Sequence, residues 1–395
     1  MQETFKLISR RHDGSCDLTF LNAQQAGICR DFHKSFPMYA PTPLAHLPET
    51  AQRLGLGDMY VKDESYRFGL NAFKALGGSY AIGKYLAQRL GVENATYDTL
   101  VSPTCKQQLG DITFVTATDG NHGRGVAWTA NLLRQKSVVY MPKGSAQERL
   151  DNIRAEGADA NITDMNYDDA VRLASRHADE FGWVLVQDTA WENYEDIPTW
   201  IMQGYGTMGL EAYEQLPEKP THIFLQAGVG SMAGSMAGLF ASIYGEARPI
   251  ITVVEPNKAD CIFRTAEAND GDLHFVTGDM DTIMAGLACG EPCSIGWNVL
   301  ANCADHFISC PDYAAAQGMR LLGNPVGQDD RVISGESGAA CVGCVAEIMT
   351  NPTLASIKKT LGLDETSRVL FFSTEGDTDR ENYRAIVWDG KYCKP

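Results

Sequence analysis

The sequence lacks the features of a membrane, secreted or nucleic-acid-binding protein. No uncharged run reaches the roughly 18 apolar residues of a spanning helix, and residues 1–17 lack the apolar stretch of a secretory signal. Positive charge is scarce: 33 Lys and Arg face 50 Asp and Glu, for a formal charge of −17. We therefore expect neither a membrane nor a nucleic acid as partner, because both present anionic surfaces.

Cysteine is present but lacks the repeated spacing of a disulfide framework. The eleven cysteines contain one CxxC, Cys341–Cys344, and their number is odd. Together with the missing signal pattern, this predicts reduced thiols and a cytoplasmic location.

What the sequence does have is the length and pattern of a two-lobed α/β protein. Its 395 residues, 44% of them hydrophobic, suffice for two domains with sizeable cores. Short apolar runs alternate with helical patterns from residue 113 to 189 and again from 223 to 373. Such alternation predicts two lobes, each a mostly parallel twisted sheet with helices on both faces. We expect the site in the cleft between them, beyond the carboxyl ends of the strands.

The pattern also gives bounds for the individual elements. The expected strands cover 113–118, 137–141, 161–163, 184–187, 223–226, 250–254, 307–309 and 369–373. The expected helices cover 123–133, 146–156, 167–181, 198–216, 231–243, 311–322, 338–350 and 355–361. We expect a large domain at residues 1–85 and 217–395 and a small α/β domain at residues 86–216.

A glycine loop follows the expected strand 223–226 and opens the next helix; it consists of Ala227, Gly228, Val229, Gly230 and Ser231. Backbone N–H groups at a helix N-terminus bind phosphate without a lysine or arginine. An ordinary βα turn and a dinucleotide loop are the alternatives. The dinucleotide loop fits less well, because these glycines do not lie in an N-terminal βαβ unit.

A second loop, Thr118–Gly123, lies between a strand and a helix. Asn121 could hydrogen-bond an oxygen of a bound cofactor, and backbone N–H groups around Gly120 could receive a substrate carboxylate. His122 is either an acid/base group or a structural histidine; no second histidine lies at metal-ligand spacing, and we expect no metal. Asp119 would repel a substrate carboxylate unless it transfers a proton or pairs with an ammonium group.

Lys74 opens a helix within a stretch of mostly small and apolar residues from Asn71 to Gly78. A solvated lysine on a helix face is the ordinary alternative. Burial disfavours the ammonium form and lowers the pKa of the amine, as attack on an aldehyde requires. Together with the two loops, Lys74 predicts a site for pyridoxal phosphate.

Four further polar residues stand at element ends. Asp188 ends the strand 184–187, where it either contacts substrate or caps the next helix. Ser373 and Thr374 end the last strand, and both are candidates to face the pyridine nitrogen; a hydroxyl there suits β-elimination. Glu336 either approaches the ring or caps a helix.

These motifs resemble those of the fold-type II pyridoxal phosphate enzymes, which include threonine and serine dehydratases, cysteine synthase and the tryptophan synthase β subunit. The resemblance covers nearly the whole chain and is carried by long strings, among them residues 66–74, 140–149, 199–205 and 283–291. Within this family the chain looks most like the ammonia-lyases that act on 2,3-diaminopropionate. The deciding position is Asp119, because dehydratases have a small hydroxyl residue or glycine before Gly-Asn-His-Gly.

The resemblance implies α,β-elimination of both isomers of 2,3-diaminopropionate to pyruvate and ammonia, with D-serine as a secondary substrate, by a homodimer. Lys74 would hold the cofactor and take the α-proton of the L isomer, Asp119 that of the D isomer, and Asp188 would steer the second amine. The implied cofactor-binding residues are Phe73, Lys74, Asn121, Ala227, Gly228, Val229, Gly230, Ser231, Glu336, Ser373 and Thr374. The implied substrate-binding residues are Asp119, Gly120, His122 and Asp188.

Two alternatives to this function remain. A serine or threonine dehydratase is weakened by the repulsion between Asp119 and the carboxylate of such substrates. A nucleotide-binding or regulatory protein that kept only the scaffold is weakened by the intact lysine and acids.

Overall fold

The computed structural model describes residues 4–10, 16–118 and 120–394. Asp119, for which the sequence predicts a catalytic and substrate-binding role, lies outside the described residues. Its neighbours Thr118 and Gly120 are described.

The strands of the described residues form two sheets. The strands are β1 (Lys6–Ser9), β2 (Leu44–His46), β3 (Asp58–Asp63), β4 (Thr113–Ala117), β5 (Lys136–Met141), β6 (Asp159–Ile162), β7 (Val184–Leu185), β8 (His222–Gln226), β9 (Ile250–Pro256), β10 (His306–Cys310) and β11 (Arg368–Ser373). The larger sheet has the order β1-β10-β9-β8-β11-β3-β2, and the smaller one has the order β6-β5-β4-β7. The pairs β1–β10 and β2–β3, at the two edges of the larger sheet, are antiparallel, and the other neighbouring pairs are parallel.

Helices connect and cover these strands. They are α1 (Ala23–Lys34), α2 (Pro48–Leu54), α3 (Ala75–Leu90), α4 (Tyr97–Leu100), α5 (Pro103–Leu109), α6 (Asn121–Leu132), α7 (Gln147–Ala155), α8 (Tyr167–Phe181), α9 (Asp196–Gln215), α10 (Ser231–Tyr244), α11 (Cys261–Ala268), α12 (Ser294–Cys303), α13 (Asp312–Gly323), α14 (Glu336–Thr350), α15 (Ala355–Leu361) and α16 (Arg380–Val387). Short 3-10 segments occur at Thr19–Leu21, Glu64–Gly69, Gly245–Ala247, Ala285–Leu287 and Pro352–Leu354.

Alternate residues of the larger sheet face two separate cores. Phe224 and Phe371 pack with α13 and α14 on one face, whereas Leu225 and Phe372 pack with α3, α9 and α10 on the other. The smaller sheet is likewise covered on both faces, by α8 on one and by α6 and α7 on the other. Strands buried on both faces have the continuous apolar runs of a parallel sheet. The predicted architecture of two helix-covered sheets is confirmed.

Several elements of the structure were not predicted from the sequence. They include β1, β2, β3, α1, α2, α11, α12 and α16. The strand β3 has a charged sequence, yet Lys62 and Asp63 are buried in it. Burial of Lys62 is possible because its ammonium lies 2.8 Å from the Glu211 carboxylate. Such long-range pairing is invisible to a local pattern.

The structure also locates the apolar helices and the CxxC motif. No single helix of the described residues has the length and apolarity to cross a membrane; the bent pair Glu336–Thr350 and Pro352–Leu361, at 95°, meets those criteria only jointly. Cys341 and Cys344 are buried on α14, and burial raises the pKa of both thiols. Raised thiol pKa values favour the unreactive protonated form.

Candidate active site

A cleft of about 870 Å³ lies where the carboxyl ends of strands from both sheets meet. Thr118 follows β4, Asp188 follows β7, Ala227 follows β8 and Thr374 follows β11; all four residues line the cleft. The predicted position of the site between the lobes is confirmed, and it follows the general rule for parallel sheets.

Lys74 is placed in the cleft by the end of β11. The Phe73 N–H donates to the Thr374 carbonyl at 3.0 Å, and the Gly376 N–H donates to the Asn71 carbonyl at 3.0 Å. These bonds hold the segment before Lys74 against the larger sheet, and α3 begins directly after it. Both Phe73 and Lys74 line the cleft.

The Lys74 ammonium donates to the Asp188 carboxylate, and the two side chains are 20% and 4% exposed. Burial alone would raise the pKa of Asp188, but Lys74, with His122, lowers it to about 2. Asp188 is therefore ionised at neutral pH. The sequence predicted an apolar environment for Lys74, whereas the structure gives the amine a carboxylate partner that stabilises its charged form.

The glycine loop, residues 227 to 231, lines the cleft where α10 begins. Gly230 has φ +94°, a backbone conformation that residues with a side chain rarely adopt. A Cβ on Gly228 would lie 3.2 Å from both Cys289 Sγ and the Gly286 carbonyl oxygen. The Ser231 hydroxyl donates to the Asp188 carbonyl at 2.6 Å, which joins the loop to the smaller sheet. Bare backbone at a helix N-terminus is suited to binding an anion.

The turn between β4 and α6 contributes Thr118, Asn121 and His122 to the cleft wall. The Asn121 amide donates to the Glu375 carboxylate. The His122 Nε2 pairs with the Val186 carbonyl at 2.8 Å, and its Nδ1 lies 3.9 Å from Asp188. The Gly120 N–H donates to Thr118 Oγ1 at 3.0 Å, so this group, predicted to receive a substrate carboxylate, is paired within the turn.

Of the two hydroxyls that end β11, Thr374 lines the cleft. It accepts a hydrogen bond of 2.9 Å from Gln226 Nε2. Ser373 is not part of the cleft wall; its hydroxyl donates to Ser334 Oγ at 2.8 Å in the interior. Successive side chains of a strand point to opposite faces, which separates the two candidates.

Glu336 lines the cleft at the start of α14 and is buried. Burial, and then the charge of Glu375, raises its pKa to about 7. The Asn382 amide donates to it. Glu336 is the first residue of α14 and faces the cleft, whereas the N-cap is Gly335, so the interpretation of Glu336 as a helix cap is wrong.

The cleft residues that were not singled out from the sequence include Arg149, Tyr205 and Glu375. Each lies inside a string that carries the resemblance, but their proximity to the site depends on contacts between distant segments. Asn121 and Glu375, for example, are 254 residues apart. Within the described residues, no group of three or more His, Cys, Asp or Glu side chains could hold a metal ion.

This fold and this cleft define the class of protein, a fold-type II pyridoxal phosphate enzyme. The family described as "Pyridoxal-phosphate dependent enzyme" matches residues 36–353. The chain is 53% identical over 394 residues to diaminopropionate ammonia-lyase of Salmonella typhimurium, covering 98% of each. The chain therefore belongs to the pyridoxal-phosphate dependent enzymes and, within them, to the diaminopropionate ammonia-lyase branch.

Solved structures show the same likeness. The holo diaminopropionate ammonia-lyase of Escherichia coli is 48% identical with a TM-score of 0.93, covering 100% of both chains. The complex of that enzyme with D-serine is 48% identical with a TM-score of 0.92, covering 99% of this chain and 98% of the other.

The residues of the cleft fit pyridoxal phosphate. Lys74 is available for the aldehyde, the loop 227–231 for the phosphate, and the Thr374 hydroxyl for the pyridine nitrogen. Residues 286 to 289 approach Gly228 closely, so that a side chain there would be crowded. When bound, the cofactor supplies an electron sink for the cleavage of bonds at the α-carbon of an amino acid.

Proposed function

We propose that this protein eliminates ammonia from 2,3-diaminopropionate. The α-proton and the β-amine leave the substrate, and the resulting 2-aminoacrylate, once released, hydrolyses to pyruvate and a second ammonia. The likeness to diaminopropionate ammonia-lyases over nearly the full length supports this substrate. D-serine is proposed as a secondary substrate, because the similar Escherichia coli enzyme was solved in complex with it.

The observation that carries the proposal is the charge of the cleft wall. Among its described residues, eight are acidic and four are cationic. The acidic residues are Asp164, Asp188, Asp279, Asp281, Asp312, Glu336, Glu375 and Asp379. The cationic residues are Lys74, Lys143, Arg149 and Lys258. An acidic wall favours a substrate with a second ammonium group over serine or threonine, whose charges cancel.

Three residues have proposed roles in catalysis. Lys74 removes the α-proton of the L isomer, and Asp119, on the opposite side of the substrate, removes that of the D isomer. Asp119 stands between Thr118 and Gly120 in the sequence, and Thr118 lines the cleft. Asp188 steers the second amine, a role that its lowered pKa supports because the carboxylate stays charged.

An assay of 2-oxo-acid release tests the substrate, since 2,3-diaminopropionate and serine yield pyruvate and threonine yields 2-oxobutyrate. We expect the highest kcat/KM with the two isomers of 2,3-diaminopropionate, a lower value with D-serine, and the lowest with L-threonine. A clear preference for L-serine or L-threonine would contradict the proposal and would identify a dehydratase.

Asp119→Asn tests whether Asp119 and Lys74 remove the α-proton from different isomers of the substrate. We expect a loss of kcat of at least about a hundredfold with the D isomer, the typical contribution of a general base, and a much smaller loss with the L isomer. Asp151→Asn, on the exposed side of α7, is the matched control in the same lobe. Equal losses with the two isomers would remove the isomer-specific role of Asp119.

We further propose a cytoplasmic homodimer with a large domain at residues 1–85 and 217–395 and a small domain at 86–216. The division is supported by the larger sheet, whose strands all lie outside residues 86–216, and by the smaller sheet, whose strands all lie inside that range. Sedimentation equilibrium should give twice the 43.1 kDa of one chain. A mass of one chain at micromolar concentration would contradict the dimer.

A further inference from the structure

The hydroxyl of Tyr205 is a buried polar group that has no hydrogen-bond partner within the described residues. Tyr205 lies on α9 and is 0% exposed. Buried polar groups in folded proteins are nearly always paired, so an unpaired one in a functional cleft calls for a ligand atom.

The position of this hydroxyl is between the lysine and the phosphate-binding loop. Tyr205 lines the cleft, and Lys74, Asp188 and Cys293 are its charged or ionisable neighbours. Cys293 in turn donates its backbone N–H to the Val229 carbonyl of the glycine loop at 2.7 Å. A cofactor joined to Lys74 and held by the loop has to occupy the space between these groups.

The Tyr205 ring is fixed by its packing. Its centroid lies 4.7 Å from that of Phe73, at an interplanar angle of 50°. A Cβ on Gly77 would lie 2.6 Å from Tyr205 Cε1 and 2.7 Å from Ile201 Cγ2, so the helices α3 and α9 meet at van der Waals contact there. A ring held in this way presents its hydroxyl in one direction before any ligand arrives.

We propose that the Tyr205 hydroxyl donates a hydrogen bond to an oxygen of bound pyridoxal phosphate. Tyr205 is thereby a cofactor-binding residue that joins α9 to the cofactor. The inference depends on the cofactor and not on which amino acid is the substrate, so it stands or falls separately from the proposed reaction.

Tyr205→Phe removes the hydroxyl and keeps the ring. We expect the apoprotein to be as stable to urea as the wild type or more stable, because an unpaired buried hydroxyl is lost. The dissociation constant for pyridoxal phosphate, measured by titration of the apoprotein in the absence of amino acid, should increase about tenfold, the effect of one lost hydrogen bond. If Tyr205 had only a structural role, its replacement would not weaken cofactor binding while the stability of the apoprotein stayed the same or increased.

Tyr80→Phe is the matched control. The Tyr80 hydroxyl is also buried, but it accepts a hydrogen bond of 3.0 Å from Gln25 Nε2 and lies outside the cleft wall. This variant should lose stability and keep its affinity for the cofactor. Unchanged cofactor affinity in Tyr205→Phe would overturn the proposal, whether or not the Michaelis constant for an amino acid then rises.

Discussion

At the scale of single residues, the cleft holds one lysine against a carboxylate that stays ionised. Asp188 keeps its charge because Lys74 and His122 lie close to it, although burial opposes that charge. The amine is therefore placed and oriented before the cofactor binds. An apolar pocket would disfavour the ammonium form of the lysine, whereas the Asp188 carboxylate stabilises it. The amine must therefore lose this proton before it can react with the aldehyde.

Borohydride reduction of the cofactor-loaded protein should label Lys74 alone. Lys143 and Lys258 also line the cleft, but it is the segment before Lys74 that is hydrogen-bonded to Thr374, at the end of β11. Peptide mapping after reduction identifies the labelled residue. A label on Lys143 or Lys258 would contradict the assignment, and Lys74→Ala is the control that should remain unlabelled.

Glu336 gives the stability of the protein a measurable pH dependence. Burial, and then Glu375, raises its pKa from 4.5 to about 7. Folding therefore favours the protonated form of Glu336. Its contribution to the free energy of unfolding is complete below the pKa of the unfolded state and is lost as the pH rises through the pKa of the folded state. Between about pH 5 and 8, the free energy of unfolding of the wild-type apoprotein should fall relative to that of Glu336→Gln, which cannot ionise.

Urea titrations at several pH values measure this difference. Glu381→Gln, an exposed change of the same kind on α16, is the control and should parallel the wild type. A constant difference between the wild type and Glu336→Gln across that pH range would contradict the prediction.

At the scale of single residues, some members of the site could be predicted from the sequence and others could not. Lys74, Asp188 and the glycine loop were predicted because each has a local signal: small neighbours, a strand end or a glycine pair. Tyr205 and Glu375 have no such signal, because they reach the cleft through the packing of α9 on α3 and through the bond from Asn121. The choice between Ser373 and Thr374 likewise needed the strand orientation, which only the folded sheet provides.

At the scale of elements, the junction of β8 with α10 requires Gly230. Its φ of +94° makes any side chain strained, and a Cβ there would also lie 3.0 Å from Ile262 Cδ1. Gly230→Ala should cost about 1–2 kcal/mol of stability and weaken cofactor binding at least about tenfold, because the N–H groups of the loop would shift.

Gly271→Ala is the control for backbone strain. Gly271 has φ +96° and lies in an exposed loop, and a Cβ added to it would meet no atom within 4 Å. This variant should lose comparable stability while retaining cofactor affinity. If both variants bound the cofactor as the wild type does, the glycine loop would not be the phosphate site.

Arg67 ties the 3-10 segment Glu64–Gly69 to α9 from a fully buried position. Its guanidinium lies 2.8 Å from both Glu64 and Glu211. Arg67→Met should lower the free energy of unfolding by roughly 3–5 kcal/mol, because Glu64 stays buried without Arg67 and Glu211 keeps only Lys62. Urea denaturation measures the loss, and the added change Glu64→Gln should recover part of it; a further full loss would show that the charges of Arg67 and Glu64 do not interact.

The elements themselves were predictable where the chain alternates regularly. The helices α8 and α15 have the expected bounds, and β4, β8 and β11 differ from expectation by one residue at one end. Among the strands that were missed, β1 and β2 are short and antiparallel at the sheet edges, and β3 contains Lys62, which is buried by an ion pair with Glu211. Those features depend on partners far away in the chain.

At the scale of the whole molecule, the net negative charge of the chain bears on which substrate the cleft attracts. The formal charge of −17 excludes a general affinity for anions, and the described cleft wall keeps the same sign. Anionic groups must then be held by local donors such as the loop 227–231, whereas a substrate with an extra ammonium group is attracted from a distance.

The ionic strength of the assay should therefore affect the two proposed substrates differently. At a pH where both amines of 2,3-diaminopropionate are protonated, its kcat/KM should fall several-fold as salt increases from about 0.01 to 0.15 M, because the screening length shortens from about 30 to 8 Å. D-serine has no net charge, so its kcat/KM should change little over the same range. The comparison uses one enzyme and one pyruvate readout, so effects of salt on the fold cancel. Equal salt dependence for both substrates would show that the acidic wall does not select the diamine.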